Sequence, residues 1–370
     1  MFANSIQQAF VIPVTVCLAF LASGVAAPRD HPDAMDLRQL GRDAFQEGRY
    51  ADATQEFRIA LAEFEKNGDS VEIAETLGDL AVVLVAQEAY AQAEPLLDRA
   101  LALMLQGGAA HASGISRLLV NLGALYASTG RLSAAEGTFN RVVRLLERYA
   151  KDDPHLILVL GNLGSVHIKM ANYKQARREL EWALSLAELR LERSHRDFLP
   201  ALINLAALYE RRKNWLRAES YLVRAAHIAA LALQPNHPDR AVILEHLGVV
   251  HFRQKKLAEA EKELRSALDI QSHALGLESV RTISVSLNLA RVLTARGQYD
   301  EASGLYTRAL PMQERRLGSK TPEFATALEN FARLLHAMKN PKAAKEMEAR
   351  ARRIRRELAY TRSVSDPQAW

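Results

Sequence analysis

The sequence predicts an all-α fold, a right-handed superhelical solenoid of eight helix-hairpin repeats. Three observations predict it: self-similarity at a period near 42 residues, small-residue columns at helical spacing inside every period, and a composition suited to helices. Gly41, Ala81, Gly123, Gly164, Ala206, Gly248, Ala290 and Ala332 recur at spacings of 40, 42, 41, 42, 42, 42 and 42. A fixed period of that length marks an array whose units each bury an apolar side against their neighbours. The 370 residues are 49% hydrophobic but only 6% aromatic and 25% charged, with Ala, Leu, Glu and Arg abundant, all strong helix formers.

Within each period the elements follow in order. A large apolar residue precedes each small one: Leu40, Leu80, Leu122, Leu163, Leu205, Leu247, Leu289 and Phe331. Twelve residues beyond the small column stands an unbroken line of alanines, Ala53, Ala93, Ala135, Ala176, Ala218, Ala260, Ala302 and Ala344. Seven further on come Ala60, Ala100, Val142, Ala183, Ala225, Ala267, Ala309 and Ala351, with Phe57, Leu97, Phe139, Leu180, Leu222, Leu264 and Tyr306 between the two lines. Offsets of three, four and seven share one helical stripe, so each unit is two helices with small residues where backbones approach and large ones in the gaps. Gly48, Gly130 and Gly297 are expected at left-handed helix ends between the paired helices. Asp153-Pro154, His237-Pro238 and Thr321-Pro322 set a capping residue before a proline that a first turn tolerates.

These columns match the pattern Leu-Gly-x-x-Tyr, Gly-x-Tyr, Ala-x-x-x-Phe-x-x-Ala, as in the run from Asn121 to Val142. The chain therefore resembles tetratricopeptide repeats from about Asp30 to Arg356. The usual period of that family is 34; eight more residues add about one turn to each helix, the long form found in kinesin light chains. Supporting runs begin at Asn204 and Asn288, and His237-Pro238-Asp239 precedes one first helix. A motor-adaptor role is not implied, because kinesin light chains carry a heptad segment where this chain has an apolar leader.

That leader is residues 1–26. Met1 to Pro28 contain no Asp, Glu, Lys or Arg, and Ala9 to Ala22 form a largely apolar run followed by Ser23-Gly24-Val25-Ala26-Ala27, the composition of a secretory signal. Cleavage is expected after Ala26 and export, periplasmic or secreted, after it. The run is short for a span and broken by Pro13, which disfavours a permanent membrane helix. No Lys or Arg precedes it, which is the feature that fits least. The sole cysteine, Cys17, lies in this run, so a processed chain has no disulfide or thiolate chemistry; Val14-Thr15-Val16 before it argue against lipid attachment. The solenoid is expected over residues 27–360 and a tail without helical period over 361–370. Pro341 and Glu348, where an aromatic and a large apolar residue normally stand, give the last repeat the polar outer face of a cap.

One position ahead of the large apolar column runs an amide ladder, Asn121, Asn162, Asn204, Asn288 and Asn330, completed by Gln39, Asp79 and His246. Arg117, Ser165, Lys169, Ala207, Arg211, Arg253, Arg291 and Arg333 fall on the same stripe of the first helices. In tetratricopeptide families that stripe lines the concave groove, carboxylate-clamp domains use an Asn in the same column, and kinesin light chains bind acidic aromatic motifs there. Amides that both donate and accept suit an extended backbone, and cations suit acidic side chains. The expected ligand is thus a protein or an extended, acidic peptide, held by Asn121, Asn162, Lys169, Asn204, Arg211, His246, Arg253, Asn288, Arg291, Asn330 and Arg333. Against this stands a plainer role for the amides, satisfying backbone groups between stacked helices.

Catalytic signatures are missing from the sequence: no His-Glu-x-x-His, no calcium loop, no Gly-x-Ser-x-Gly. His167 and His251 occupy the column of Tyr126 and Tyr209 and are expected to pack, not to ligate. Asp152 and Asp153 favour a helix start, and Gly107-Gly108 lacks a phosphate-loop sequel and reads as a connector. Neither enzyme activity, cofactor nor metal is expected. A net charge of +5 is too sparse for a dedicated nucleic-acid binder. The basic run from Arg350 to Arg356 interleaves with Ala351, Ile354 and Leu358 as the solvated face of an amphipathic helix. A rival to the peptide scaffold is a structural subunit of an envelope or secretion complex, using the convex face or the ends.

Overall fold

The computed structural model describes residues 33–106, 111–149, 153 and 155–365. Its described residues form sixteen α-helices in eight consecutive pairs: α1 (Ala34–Gln46) with α2 (Tyr50–Asn67), α3 (Ser70–Ala86) with α4 (Tyr90–Gln106), α5 (Ala112–Ser128) with α6 (Leu132–Tyr149), α7 (His155–Lys169) with α8 (Tyr173–Arg190), α9 (Leu199–Arg211) with α10 (Trp215–Ala232), α11 (Pro238–Arg253) with α12 (Leu257–Leu275), α13 (Val280–Ala295) with α14 (Tyr299–Leu317), and α15 (Pro322–Ala337) with α16 (Pro341–Ser365). A short 3-10 turn, Arg196–Phe198, leads into α9. Helix α16 runs five residues into the segment 361–370 read from sequence as a tail; 366–370, the leader, Asp152 and the Gly107-Gly108 connector lie outside the described residues.

The helices group into two compact units that divide after Ile243, inside α11. In the first, α1 to α10 pack as successive hairpins, each second helix against the next first helix, and first helices also touch first helices (α1 with α3, α3 with α5, α5 with α7, α7 with α9). In the second, α12 packs on α13, α13 on α14, α14 on α15 and α15 on α16, with α13 also touching α15.

The small columns explain how the pairs close. All eight alanines from Ala53 to Ala344 are fully buried, as are Phe57, Leu97, Phe139, Leu180, Leu222, Leu264 and Tyr306. At the four glycines of the small column, Gly41, Gly123, Gly164 and Gly248, the large side chain sixteen positions later fills the space a Cβ would need. A Cβ on Gly123 would stand 2.6 Å from Phe139, and one on Gly164 2.5 Å from Leu180. The large apolar column is buried from Leu80 to Leu289, but Leu40, in the first described helix, is 48% exposed. In the last pair Ala332, Leu335 and Ala344 still form a core with Phe331 and Met347.

Every hairpin turns the same way. The predicted Gly48, Gly130 and Gly297 have φ near +80°, and Glu88, Ala171, Lys213, Lys255 and Lys339 occupy the same position with φ between 58° and 68°. The amide of the following residue reaches back five positions in all eight turns, from Arg49 N to Ala44 O at 2.8 Å through Asn340 N to Leu335 O at 2.9 Å, the longer bond of a Schellman motif. Helix starts are capped as expected: Asp153 Oδ1 accepts from His155 N at 2.8 Å, His237 Nδ1 from Asp239 N at 3.1 Å, and Thr321 Oγ1 from Phe324 N at 3.2 Å.

Candidate functional site

In the first unit the opening part of the first-helix stripe is an ionic network. Both Nε and Nη2 of Arg42 donate to Asp79 Oδ2, at 2.8 and 2.6 Å, with both residues buried. Arg38 meets Glu72 and, at 3.2 Å, Glu75, which Arg117 also approaches at 3.2 Å. Burial pushes the Asp79 carboxyl up, against the opposing pull of Arg42, Arg117 and Arg38. Charges this deep are tolerable only when paired, and the stripe supplies the pairing between neighbouring repeats.

Further along this unit the amides turn inward. Asn121, Asn162 and Asn204 are buried, and Asn204 Nδ2 donates to Gly161 O of the preceding first helix at 3.2 Å, the backbone-satisfying role that the sequence offered as the plainer alternative. The cations of the stripe lie outside: Arg211 and Lys169 are exposed, the lysine Nζ donating to Ala127 O at 2.9 Å.

The second unit repeats the inversion and adds an acid. Glu245, fully enclosed on α11, accepts through Oε1 from Ser284 Oγ at 2.8 Å and Asn288 Nδ2 at 2.9 Å. Burial raises its pKa to about 7, while His246, Ser284, Asn288 and Arg281 pull the other way. Asn288, His246 and Asn330 are buried too, and Asn330 Oδ1 accepts from Arg333 Nη1 at 2.9 Å. Arg253 and Arg291 are half-buried and Arg333 exposed. The guanidinium of Arg291 lies 4.7 Å from the centre of the Phe252 ring. Its pKa falls to about 9, chiefly through burial, with Arg253 and Arg333 adding like-charge repulsion. Asn204 and Asn288 thus lie between helices, while Lys169, Arg211 and Arg333 reach solvent.

Sequence reasoning missed Glu245; its position is Gly78, Val120, Gly161, Ile203 and Leu287 in five other repeats but Arg38 in the first and Glu329 in the last, so the acid there was only a partial signal. It also missed a histidine-glutamate pairing at twelve residues' separation: His167 Nδ1 to Glu179 at 2.6 Å, His251 Nδ1 to Glu263 at 2.8 Å and His336 Nε2 to Glu348 at 3.0 Å. His167, fully buried, also reaches Glu136 at 3.1 Å. Burial lowers its pKa, but the bonds to Glu179 and Glu136 outweigh that and raise it. Among the described residues no group of three or more His, Cys, Asp or Glu is placed to hold a metal ion, and no helix is long and apolar enough to cross a membrane.

Comparison with known proteins agrees with this geometry. No curated protein matches the chain significantly. Among solved structures, the nearly identical TPR-like repeats of a kinesin light chain from Podospora anserina share 23% identity over 56% of this chain and 98% of theirs, at a TM-score of 0.46. BtubC (BKLC) from P. vanneervenii shares 22% over 62% of this chain and 92% of its own, at 0.51. A Rap protein complexed with Competence and Sporulation Factor shares 13% over 88% and 99%, at 0.59. The family model for the tetratricopeptide repeat matches residues 33–106, 114–188, 197–273 and 281–357, nearly all of the eight hairpins, and the chain belongs to the tetratricopeptide repeat family.

Proposed function

We propose that this chain is a non-enzymatic scaffold that holds protein or peptide partners, receiving an extended acidic peptide on the solvent-facing cations of its first helices, and that it works as an exported protein after loss of residues 1–26. The observation that carries the reading is how charge is disposed along the stripe. Arg38, Arg42 and Arg117 face carboxylates, whereas Lys169, Arg211 and Arg333 are exposed and Arg253 and Arg291 half-buried. Positive charge at solvent attracts acidic ligands and steers their approach. Asn204 and Asn288 are engaged by neighbouring first helices, so contact with the peptide falls to the cations. Tetratricopeptide repeat chains are generally non-enzymatic scaffolds, and the Rap protein complexed with its factor supports a ligand held by such hairpins.

The test is anisotropy of labelled acidic and basic peptides. The double variant Arg211→Glu, Arg253→Glu is expected to abolish capture of acidic peptides with an unchanged circular dichroism spectrum; undiminished capture would sink the reading. Export is checked by whether the mature chain begins at Ala27.

A second reading, docking into a larger assembly through the second helices, is favoured by one observation. Leu231, 64% exposed on α10, lines a cavity of about 560 Å³ together with Phe198, Ile228 and Arg224, and Leu189, at the equivalent position of α8, is 81% exposed. Exposed apolar clusters of this kind mark contact surfaces. An assembly that survives high salt but is lost in Leu189→Asp, Leu231→Asp supports this reading; salt-sensitive capture of single acidic partners supports the first.

A further inference from the structure

His167 stands where α5 and α9 carry Tyr126 and Tyr209. It is fully buried, yet each ring nitrogen meets a carboxylate on a different helix: Nδ1 lies 2.6 Å from Glu179 Oε2 on α8, and Nε2 lies 3.1 Å from Glu136 Oε1 on α6. An ionised carboxylate only accepts, so the two bonds exist together when both nitrogens carry protons and the ring is a cation. A neutral ring keeps one donor, and its other nitrogen then turns a lone pair toward a carboxylate. The proton stays on Nδ1, because that bond is the shorter and lies inside the α7–α8 hairpin, a pairing that His251 and Glu263 repeat at 2.8 Å on α11 and α12. The bond given up is the one to Glu136, which joins the fourth hairpin to the third. Helix α7 packs on α5, α6, α8 and α9, and the charges that meet the ring are Glu136 from α6 and Glu179 from α8. Lys169, on the ring's own helix, sends Nζ to Ala127 O on α5, and Arg131 of the α5–α6 turn is committed to Glu94. From α5 and α9 the matching column brings the two tyrosines.

We propose that His167 is a pH-operated tie between the third and fourth hairpins: protonated, it holds α6 and α8 to α7 at once, and on losing its proton it releases α6. Burial lowers the pKa of the ring, but the bonds to Glu179 and Glu136 outweigh it and hold the folded value above the ordinary 6.5. The tie is therefore complete below about pH 6.5 and is lost as pH rises through the folded value. The bond from Lys169 to Ala127 O still joins the same two hairpins, so the junction loosens without parting.

Two measurements on the full chain test it: an NMR titration of the isotope-labelled histidine rings, with the His167 signal assigned by its loss in His167→Tyr, and hydrogen exchange at about pH 5.5 and about pH 8, each rate divided by the intrinsic rate at that pH. His167 is expected to titrate above 6.5, and Glu136→Gln, at a partly exposed position, to lower that value by about one pH unit or more as one of its two anions is removed. Protection of α6 and α7 in the parent is expected to fall several-fold between the two pH values, with α1 and α2 unaffected. Glu136→Gln presents an amide that accepts from a protonated nitrogen or donates to a bare one, so the fall should vanish in that variant. It should vanish too in His167→Tyr, which places the residue of the flanking hairpins in the column. If the tyrosine variant does not fold, Glu136→Gln decides the matter alone. A His167 ring that titrates at or below 6.5, protection in the parent that does not change with pH, or a fall that persists in Glu136→Gln overturns the tie.

Discussion

Replacing Glu245 by Gln isolates what it costs this fold to ionise a carboxyl inside the second unit. The acid titrates at about 7 in the folded chain against an ordinary 4.5, because burial disfavours its charged form. Below about pH 4.5 it is protonated whether the chain is folded or not, and its contribution to stability is intact. As pH rises from there to about 7, the unfolded chain gives up the proton that the folded chain still holds, and stability falls. At about 1.4 kcal/mol per pH unit, the interval from 4.5 to 7 comes to about 3 kcal/mol, fully lost above pH 7. Gln keeps an oxygen to accept from Ser284 and Asn288 and cannot ionise. The assay is urea unfolding followed by circular dichroism, parent and variant side by side, at pH 4.5, 6 and 8. The two midpoints should nearly coincide at the lowest pH and diverge in favour of Glu245→Gln by about 3 kcal/mol at the highest; comparing them cancels the titration of every other group. A difference that does not change with pH, or a variant that loses ground at pH 8, would refute the reasoning.

Two further substitutions probe the frame. Ala218→Leu, at a fully buried position of the alanine column, should cost about 1 to 3 kcal/mol by overpacking, read from the same unfolding curves; an unchanged midpoint would contradict the close approach of α9 and α10. Ala171→Gly releases a residue held at φ 62° and should gain about 0.5 to 1 kcal/mol, the left-handed penalty of a Cβ less the extra chain entropy of glycine; a loss of stability would show that this turn carries no strain.

Much of the fold was legible because a repeat writes the same contact many times. One buried alanine means little, but eight in register fix the hairpin, its period and the residue each large side chain must meet. The turns were half legible. Gly48, Gly130 and Gly297 announce a left-handed residue, whereas Glu88, Ala171, Lys213, Lys255 and Lys339 give no such signal; packing of the paired helices forces them into that conformation. The stripe itself was legible as a set of positions but not as a surface. Asn204 and Asn288 look like peptide ligands in the sequence, and they sit between helices because Gly161 O and Glu245 lie within reach of their amides.

The sequence by itself determined the helices, their pairing, the small-to-large contacts and the membership of the first-helix stripe, all of which follow from spacing and side-chain volume. Tertiary structure alone decided which charges are neutralised, which amides are enclosed, and where an acid titrates near neutrality. The physical reason is that spacing is a property of one helix, while burial and charge pairing depend on neighbours about forty residues away: Arg42 is defined by Asp79, Glu245 by Ser284 and Asn288, and Arg291 by Arg253 and Arg333.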